Sequence, residues 1–190
     1  MNPAKNSFAI VLAAGKSKRL GKPKALLDCG NKTLIQFIVD RLESLNLGVV
    51  VITNSDLKRS ITKSLESNKA TIIVPENTSH RTGNLITGLK TIKNPEKILV
   101  VPIDRPGWSL DTIKLLLNMD ETCCPEFQGK GGHPLLICKE DLEKLSKTPI
   151  ETPLNTIFVA KKISVMDSFL HLNIDTPQDI NLLNKFINKI

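Results

Sequence analysis

The chain has 190 residues, of which 41% are hydrophobic and 24% are charged. These are the proportions of an ordinary globular protein, and the length suits one domain with a sizeable core. No apolar run approaches the roughly 20 residues that span a membrane, and the N-terminal MNPAKNS lacks the apolar region of a signal peptide. We therefore expect a cytoplasmic protein with no membrane partner.

The net charge of +7 has two interpretations. One is nucleic-acid binding, but aromatic residues make up only 4% of the chain and no long block of Lys and Arg occurs. The other is a site for small anions, which the crowding of cations into residues 16–24 favours. We therefore expect no nucleic-acid partner. The four cysteines include no C-x-x-C pair, so we expect free thiols rather than a zinc site or a disulfide framework.

Strands and helices are predicted to alternate over the first 120 residues. Continuous apolar or β-branched runs predict buried strands at residues 8–12, 49–53, 71–74 and 97–103. Helices are predicted from Thr33 to about residue 46, from Ser55 or Asp56 to about residue 67, through residues 85–89, and after Ser109. This alternation is typical of an α/β fold with a doubly wound, mostly parallel sheet and helices on both faces.

The C-terminal third is less regular. Strand pieces are predicted at residues 123–127, 135–138, 163–166 and 169–174, and helices at residues 139–147 and 153–159. Asp175-Thr176-Pro177 predicts the start of the last helix, with Pro177 at its first position and Asp179 in its first turn. Because no long linker divides the chain, we expect a single domain over residues 1–190.

The chain is organised around one stretch, IVLAAGKSKRLGKPK at residues 10–24. The first predicted strand opens at its carboxyl end into a loop with two glycines and five cations, which is where α/β proteins bind phosphorylated ligands. Small residues let a ligand approach the backbone, whose N–H groups surround a polyphosphate together with Lys and Arg. The loop matches neither GxxxxGK[ST] nor GxGxxG. The alternative interpretation is a connection with a solvated basic face.

Two aspartates are candidates for a metal site. Asp104 follows the apolar run ILVVPI, so we expect its carboxylate at the carboxyl edge of the sheet, beside the basic loop. Asp175 is the second candidate, and Asn173 lies two positions before it on the same face of a predicted strand. Mg²⁺ in phosphate chemistry is held by one or two carboxylates together with substrate phosphates and water. For both aspartates the alternative is a helix or turn cap.

Four parts of the chain, in order, resemble the MobA-like NTP transferases. They are LAAGKSKRLGKPK (12–24), ENTSHRTGNLITGL (76–89), PIDRPGWS (102–109), and GKGGHPLLI (129–137) together with NIDTPQD (173–179). The first resembles the signature of nucleotidyltransferases with a Rossmann-like fold, and the last pair is similar to the molybdenum cofactor cytidylyltransferase branch. The resemblance implies a sheet of the nucleotide-diphospho-sugar transferase type, an NTP substrate and Mg²⁺.

The resemblance also implies roles for individual residues. The nucleotide would be bound by Leu12, Ala13, Ala14, Gly15, Lys16, Ser17, Arg19 and Lys24. The catalytic residues would be Lys24, Arg19 and Asp104, the metal ligands Asp104 and Asp175, and the acceptor-binding residues His133, Gly132 and Arg81. Ala14 stands where guanylyltransferase relatives commonly carry Gly, which favours CTP as the donor.

We therefore expect transfer of CMP from CTP to a phosphorylated small molecule, with release of pyrophosphate. The resemblance implies molybdopterin or its molybdenum form as the acceptor, and the molybdoenzyme that receives the cofactor as a further partner. Arg105 and Trp108 stand where relatives carry smaller or acidic residues, which leaves room for a different acceptor. The alternatives are a sugar-phosphate or other small-molecule nucleotidyltransferase, a non-catalytic nucleotide-binding protein, and a nucleic-acid-binding module.

Overall fold

The computed structural model describes residues 6–15, 17–76 and 80–189. The strands are β1 (Ser7–Leu12), β2 (Asp28–Cys29), β3 (Lys32–Thr33), β4 (Gly48–Ile52), β5 (Thr71–Ile73), β6 (Lys97–Pro102), β7 (Cys123–Phe127), β8 (Lys130–Gly131), β9 (Leu135–Cys138) and β10 (Lys161–Ser164). The α-helices are α1 (Leu34–Glu43), α2 (Ser55–Ser64), α3 (Arg81–Leu89), α4 (Leu110–Leu117), α5 (Lys139–Ser146) and α6 (Asp179–Ile187).

Eight of the described strands form one sheet in the order β10-β7-β9-β6-β1-β4-β5, with β8 paired to β7. β1 lies between β4 and β6 and runs parallel to both, so that Ile10 is opposite Val50 and Val100. β9 runs antiparallel to β6, and β10 runs parallel to β7. The predicted mostly parallel, doubly wound sheet is therefore confirmed, with antiparallel pairing added in its second half.

The chain reverses direction across the sheet at β1. It first moves outward from β1 to β4 and β5, and then returns to place β6 on the opposite side of β1. Such a reversal opens a crevice beyond the carboxyl ends of the two strands that flank it, which is where ligands bind in open α/β sheets. The basic loop that follows β1, residues 13–24, begins at this crevice.

Two hydrophobic clusters cover the two faces of the sheet. Ala9 and Val11 belong to the larger cluster, which contains the buried side chains of α1, α4 and α6. Ile10, between them in sequence, belongs to the second cluster, with α3 and α5. Because successive strand residues point to opposite faces, a strand buried on both sides reads as a continuous apolar run rather than an alternating one.

Several predicted ends are confirmed by their hydrogen bonds. The Thr33 hydroxyl caps α1 by accepting a bond from the Gln36 N–H at 3.4 Å, and the Ser109 hydroxyl caps α4 by accepting one from Thr112 N–H at 3.0 Å. The helix predicted over residues 153–159 is shorter, a single 3₁₀ turn over Leu154–Thr156.

The strand predicted over residues 169–174 is wrong. Its apolar alternation is real, because Leu170, Leu172 and Ile174 are buried. The backbone nevertheless forms a turn, in which Leu172 N–H bonds to the Phe169 carbonyl at 2.8 Å and Ile174 N–H bonds to the Asp104 carbonyl at 3.0 Å. Alternating burial therefore arose from a turn packed against the core and not from strand pairing.

The described residues contain no helix with the length and apolar character that crossing a bilayer requires. The four cysteines are free thiols, as predicted: three are buried, and Cys124 is partly exposed. Burial raises the pKa of Cys29 and of Cys123 to about 12, so both remain protonated structural residues.

Candidate functional site

The basic loop leaves β1 between the carboxyl ends of its two neighbours. Ala13 N–H donates to the Ile52 carbonyl of β4 at 2.8 Å, and Ile103 N–H donates to the Leu12 carbonyl at 3.1 Å. These bonds extend the sheet by about one residue on each side of β1. As a result, Ala13, Ala14 and Gly15 present their backbone at the crevice.

Asn54 supports the loop from the neighbouring strand, and sequence reasoning missed it. Its side-chain amide donates to the Ala14 carbonyl at 3.0 Å, while its side-chain oxygen accepts a bond from Leu57 N–H at 3.0 Å and so caps α2. The helix was predicted to open at Ser55 or Asp56. An Asn between a β-branched run and a helix is itself a strong cap signal, so the position, though not the contact to Ala14, can be read from sequence.

The loop folds back so that its two ends meet. The backbone N–H of Lys24 donates to the Ser17 hydroxyl at 3.1 Å, and Gly21 N–H bonds to the Ser17 carbonyl at 3.3 Å. Gly21 has φ +75°, a conformation that favours glycine. Lys16, which the sequence also predicts to bind nucleotide, lies outside the described residues.

Two cations and two carboxylates meet at the end of this loop. The Lys24 Nζ lies 2.6 Å from Asp175 Oδ1 and 3.5 Å from Asp104 Oδ2, and Arg19 Nη2 lies 3.3 Å from Asp175 Oδ2. The Ile174 N–H bond to the Asp104 carbonyl fixes the two carboxylate-bearing segments side by side. The structure thus brings together Lys24, Arg19, Asp104 and Asp175, four residues predicted from the sequence.

Asp175 is strongly held in its ionised form. The hydrogen bond from Lys24, followed by one from the Asn173 amide at 2.8 Å, lowers the pKa of Asp175 to about 2. The alternative interpretation of Asp175, a cap of the last helix, is wrong, as is the start of that helix at Pro177. The helix begins at Asp179, whose carboxylate accepts bonds from the N–H groups of Asp175 and Thr176. Asp175 instead directs Oδ1 at Lys24 and Oδ2 at Arg19.

A smaller cavity of about 230 Å³ lies along the loop. It is lined by Leu12, Ala13, Ala14, Gly15, Ser17, Lys24, Ala25, Leu57, Arg81, Asn84, Pro102, Ile103 and Asp104. Six of the residues predicted to bind nucleotide are among them. Arg19 is absent from this lining because its side chain, 73% exposed, extends outward to Asp175.

A larger cavity of about 660 Å³ adjoins the first. Arg81, the first residue of α3, lines both cavities, whereas Gly132 and His133 line only the larger one. The apolar part of its wall comes from the irregular segment 150–160, which the Thr82 hydroxyl holds by donating to the Thr152 carbonyl at 2.6 Å. The sequence of this segment carries no motif that marks individual residues as part of the site.

His133 is a neutral imidazole in the wall of the larger cavity. Burial, and after it the positive charge of Arg105, lowers the pKa of His133 to about 4, although Asp104 acts in the opposite direction and Arg81 adds to the lowering. Its Nδ1 is enclosed and makes no hydrogen bond within the described protein. The ring can therefore exchange a hydrogen bond with a ligand without adding a charge.

Trp108 does not line either cavity, contrary to the expectation that it would alter an acceptor pocket. It is fully buried, and the Arg41 guanidinium lies over its ring at 4.5 Å from the centroid. Burial lowers the pKa of Arg41 to about 10. Trp108 and Arg41 therefore stabilise the core beneath the loop that follows Asp104.

The carboxylates fit a metal that takes most of its ligands from a substrate. Within residues 6–15, 17–76 and 80–189, no three His, Cys, Asp or Glu side chains group together as a metal site. Asp104 and Asp175 nevertheless both lie within 4 Å of one ammonium group, so they already hold a cation between them. Two carboxylates with phosphates and water are the usual ligand set of Mg²⁺.

Comparison with known proteins identifies relatives of this chain. The family model of the MobA-like NTP transferase domain matches residues 9–165. A relative from Bacillus mycoides (strain KBAB4), named "Probable molybdenum cofactor guanylyltransferase", is 34% identical over 136 residues, covering 67% of this chain and 64% of the relative, slightly under two thirds of its length. A relative of the same name from Bacillus cereus (strain AH820) is 27% identical over 190 residues, covering 90% of this chain and 92% of the relative.

Solved structures share the fold at lower identity. The Mycobacterium tuberculosis rv0371c homolog from Mycobacterium sp. strain JC1 superimposes with a TM-score of 0.80 at 20% identity, covering 97% of this chain and 98% of that one. Molybdopterin-guanine dinucleotide biosynthesis protein A from Archaeoglobus fulgidus gives a TM-score of 0.69 at 15% identity, covering 96% and 99%. Identities at this level establish the fold alone.

Proposed function

Because the chain belongs to the MobA-like NTP transferase family and is a nucleotidyltransferase, we propose that it transfers a nucleoside monophosphate to the terminal phosphate of molybdopterin. An oxygen of that phosphate attacks the α-phosphorus of the NTP, the bond to the β-phosphate breaks, and pyrophosphate leaves. The observation that carries the proposal is the meeting of two cavities at Arg81, beside Lys24, Asp104 and Asp175.

The smaller cavity suits the nucleotide. The exposed backbone of Ala13, Ala14 and Gly15 allows a base and ribose to approach closely, and Ser17 and Lys24 continue the wall toward the cations. A polyphosphate placed there meets the positive charges of Lys24 and Arg19 at the carboxyl edge of the sheet. Transfer of this kind depends on positioning and on electrostatic stabilisation of the phosphates.

The larger cavity suits the acceptor. Its volume of about 660 Å³ lies in the range of small-molecule sites, and apolar side chains such as Leu154 and Phe158 offer a surface to a flat pterin. Arg81 lines both cavities, so one guanidinium can contact the attacking phosphate and the α-phosphate. A shared cation offsets the repulsion between these two anions. The name of the Bacillus relatives supports molybdopterin as the acceptor.

Asp104 and Asp175 would hold Mg²⁺, which supplies positive charge against the phosphate oxygens. His133, neutral at physiological pH, would orient the acceptor through a hydrogen bond, and Gly132 lines the cavity beside it. Lys16 would join the cations around the triphosphate. The molybdoenzyme that receives the cofactor would be the protein partner.

CTP is the donor that we propose, with GTP as the second candidate. Ala14 favours CTP by the family resemblance, and Asp104 is the only carboxylate among the described residues that line the smaller cavity, already paired with Lys24. Guanine presents two neighbouring N–H donors that a carboxylate accepts well, whereas cytosine requires fewer acceptors. GTP is supported by the name of the Bacillus relatives.

The test is a transfer assay with molybdopterin released from a molybdoenzyme, each of the four NTPs and Mg²⁺. We expect pyrophosphate and a pterin dinucleotide with CTP, and neither product in the Asp104→Ala variant, whose melting temperature should stay close to wild type because a partly exposed carboxylate contributes little core volume. Formation of the dinucleotide with GTP and not with CTP would show that GTP is the donor. If pyrophosphate is released only when a sugar phosphate replaces molybdopterin, molybdopterin is rejected as the acceptor. Nucleotide binding without turnover would favour a non-catalytic binding protein.

A further inference from the structure

Lys24 occupies the position between the two carboxylates. Its ammonium lies 2.6 Å from Asp175 and 3.5 Å from Asp104, and its side chain is only 13% exposed. Arg19 neutralises the other oxygen of Asp175 at 3.3 Å. Protein cations therefore already contact the carboxylate oxygens that we propose as metal ligands when the triphosphate is absent.

We propose that Lys24 takes the place of the metal ion in the nucleotide-free protein, so that the metal and the NTP bind together and neither binds tightly alone. This inference rests on the proposed nucleotidyl transfer, but it does not depend on the identity of the acceptor. A divalent cation between the same carboxylates would be in contact with the ammonium, and like charges at this distance repel. The carboxylates accommodate one of the two cations at a time.

The triphosphate resolves this competition. It offers new partners to the ammonium, which can leave the carboxylates for phosphate oxygens, and it adds ligands to the metal. Each ligand therefore improves the site for the other, and thermodynamic linkage requires the two effects to be equal. In the absence of nucleotide, the Lys24 ammonium neutralises the two carboxylates.

The structure allows Lys24 to make this movement. Its backbone is fixed by the N–H bond to the Ser17 hydroxyl at 3.1 Å and by the 3₁₀ turn Lys24–Leu26. Only the flexible four-carbon side chain must rotate, and Lys24 also lines the smaller cavity, where the nucleotide is proposed to bind.

The experiment measures binding of Mn²⁺ by electron paramagnetic resonance, which reports free Mn²⁺ directly and requires no turnover. We expect weak binding to the wild-type protein alone. When CTP is added, we expect binding about tenfold tighter or more, after subtraction of the Mn²⁺ that the same CTP binds without protein. Lys24→Met keeps the length and apolar stem of the side chain but removes its charge. This variant should bind Mn²⁺ without nucleotide about tenfold more tightly than wild type, and addition of CTP should produce a smaller gain than in wild type.

Lys22→Met is the matched control, because it removes one positive charge from the same loop at an exposed side chain. If charge reduction alone strengthens Mn²⁺ binding, both variants will gain equally, and direct competition is refuted. Equal Mn²⁺ affinity in wild type and Lys24→Met also overturns the inference, as does tight wild-type binding that no NTP improves. Lys24→Gln provides a second variant if Lys24→Met does not melt cooperatively. The experiment measures metal binding and not transfer. A failure of transfer to molybdopterin would therefore reject the proposed acceptor without deciding whether Lys24 competes with the metal.

Discussion

Replacement of Gly107 by alanine tests how the core beneath the site positions the carboxylates. A Cβ atom at this residue would lie 1.9 Å from the Phe169 carbonyl oxygen and 2.7 Å from its carbonyl carbon. Both are backbone atoms, so no side-chain rotation relieves the contact. The turn that begins at Phe169 would have to move away by about 1 Å, because heavy atoms in close-packed interiors do not approach within 3.0 Å of a Cβ.

The expected loss of stability follows from this displacement. Over-packing in a well-packed interior costs about 1–3 kcal/mol, and a clash with backbone belongs at the upper end, about 3 kcal/mol. For a chain of this size, that corresponds to a fall in the melting temperature of roughly 6–12 °C. The same turn bonds Leu172 N–H to the Phe169 carbonyl and leads to Ile174, whose N–H donates to the Asp104 carbonyl. The movement should therefore also weaken nucleotide binding.

The measurement is thermal unfolding followed by circular dichroism, with and without CTP and Mn²⁺, since a ligand that binds the folded state raises the melting temperature. Gly131→Ala is the control, because its Cβ would meet Cys124 Sγ at 3.4 Å, an ordinary contact. The packing argument would be refuted if Gly107→Ala has the melting temperature of wild type and keeps the full ligand-induced rise.

Two further predictions concern groups around the site. Burial lowers the pKa of His133 from 6.5 to about 4, so the unfolded chain gains a proton that the folded chain excludes, and stability is lost as the pH falls through this window. His133→Gln should remove up to about 3 kcal/mol of that pH dependence. The melting temperature of the variant should then change less than that of wild type between pH 7 and 4, and equal changes in the two proteins would refute the role of His133. Asp167→Ala leaves Ser109 N–H and the Thr112 hydroxyl without their carboxylate and should cost about 1–3 kcal/mol in urea unfolding. Asp111→Ala, whose carboxylate is 90% exposed, should cost far less, and equal losses would contradict the assignment.

Local patterns determined much of the fold and part of the site. The run FAIVL predicts β1 because buried parallel strands are apolar on both faces, and glycines and lysines after it predict an anion-binding loop because such residues expose backbone N–H groups and charge. Asp104 could be placed at the edge of the sheet because it directly follows a strand. Each of these inferences uses residues within a few positions of one another.

The sequence was misleading in the irregular turns of the C-terminal third. The alternating burial of Leu170, Leu172 and Ile174 imitates a strand, since a turn packed on a core also buries every second side chain. The cap signal around Asp175 is misleading, because its carboxylate reaches Lys24 and Arg19, whereas the carboxylate of Asp179 accepts hydrogen bonds from the N–H groups of Asp175 and Thr176. A local signal cannot distinguish which of two nearby carboxylates reaches the backbone.

The sequence by itself determined most of the elements, the parallel character of the sheet and the residue types that the chemistry needs. Only the tertiary structure decided which of them meet: Lys24 and Asp175 lie 151 residues apart along the chain, yet their charged atoms are 2.6 Å apart. It also decided that Trp108 lies in the core and that Arg81 lines two cavities. The physical reason is that such contacts follow from the packing of whole elements against one another, which no short stretch of sequence encodes.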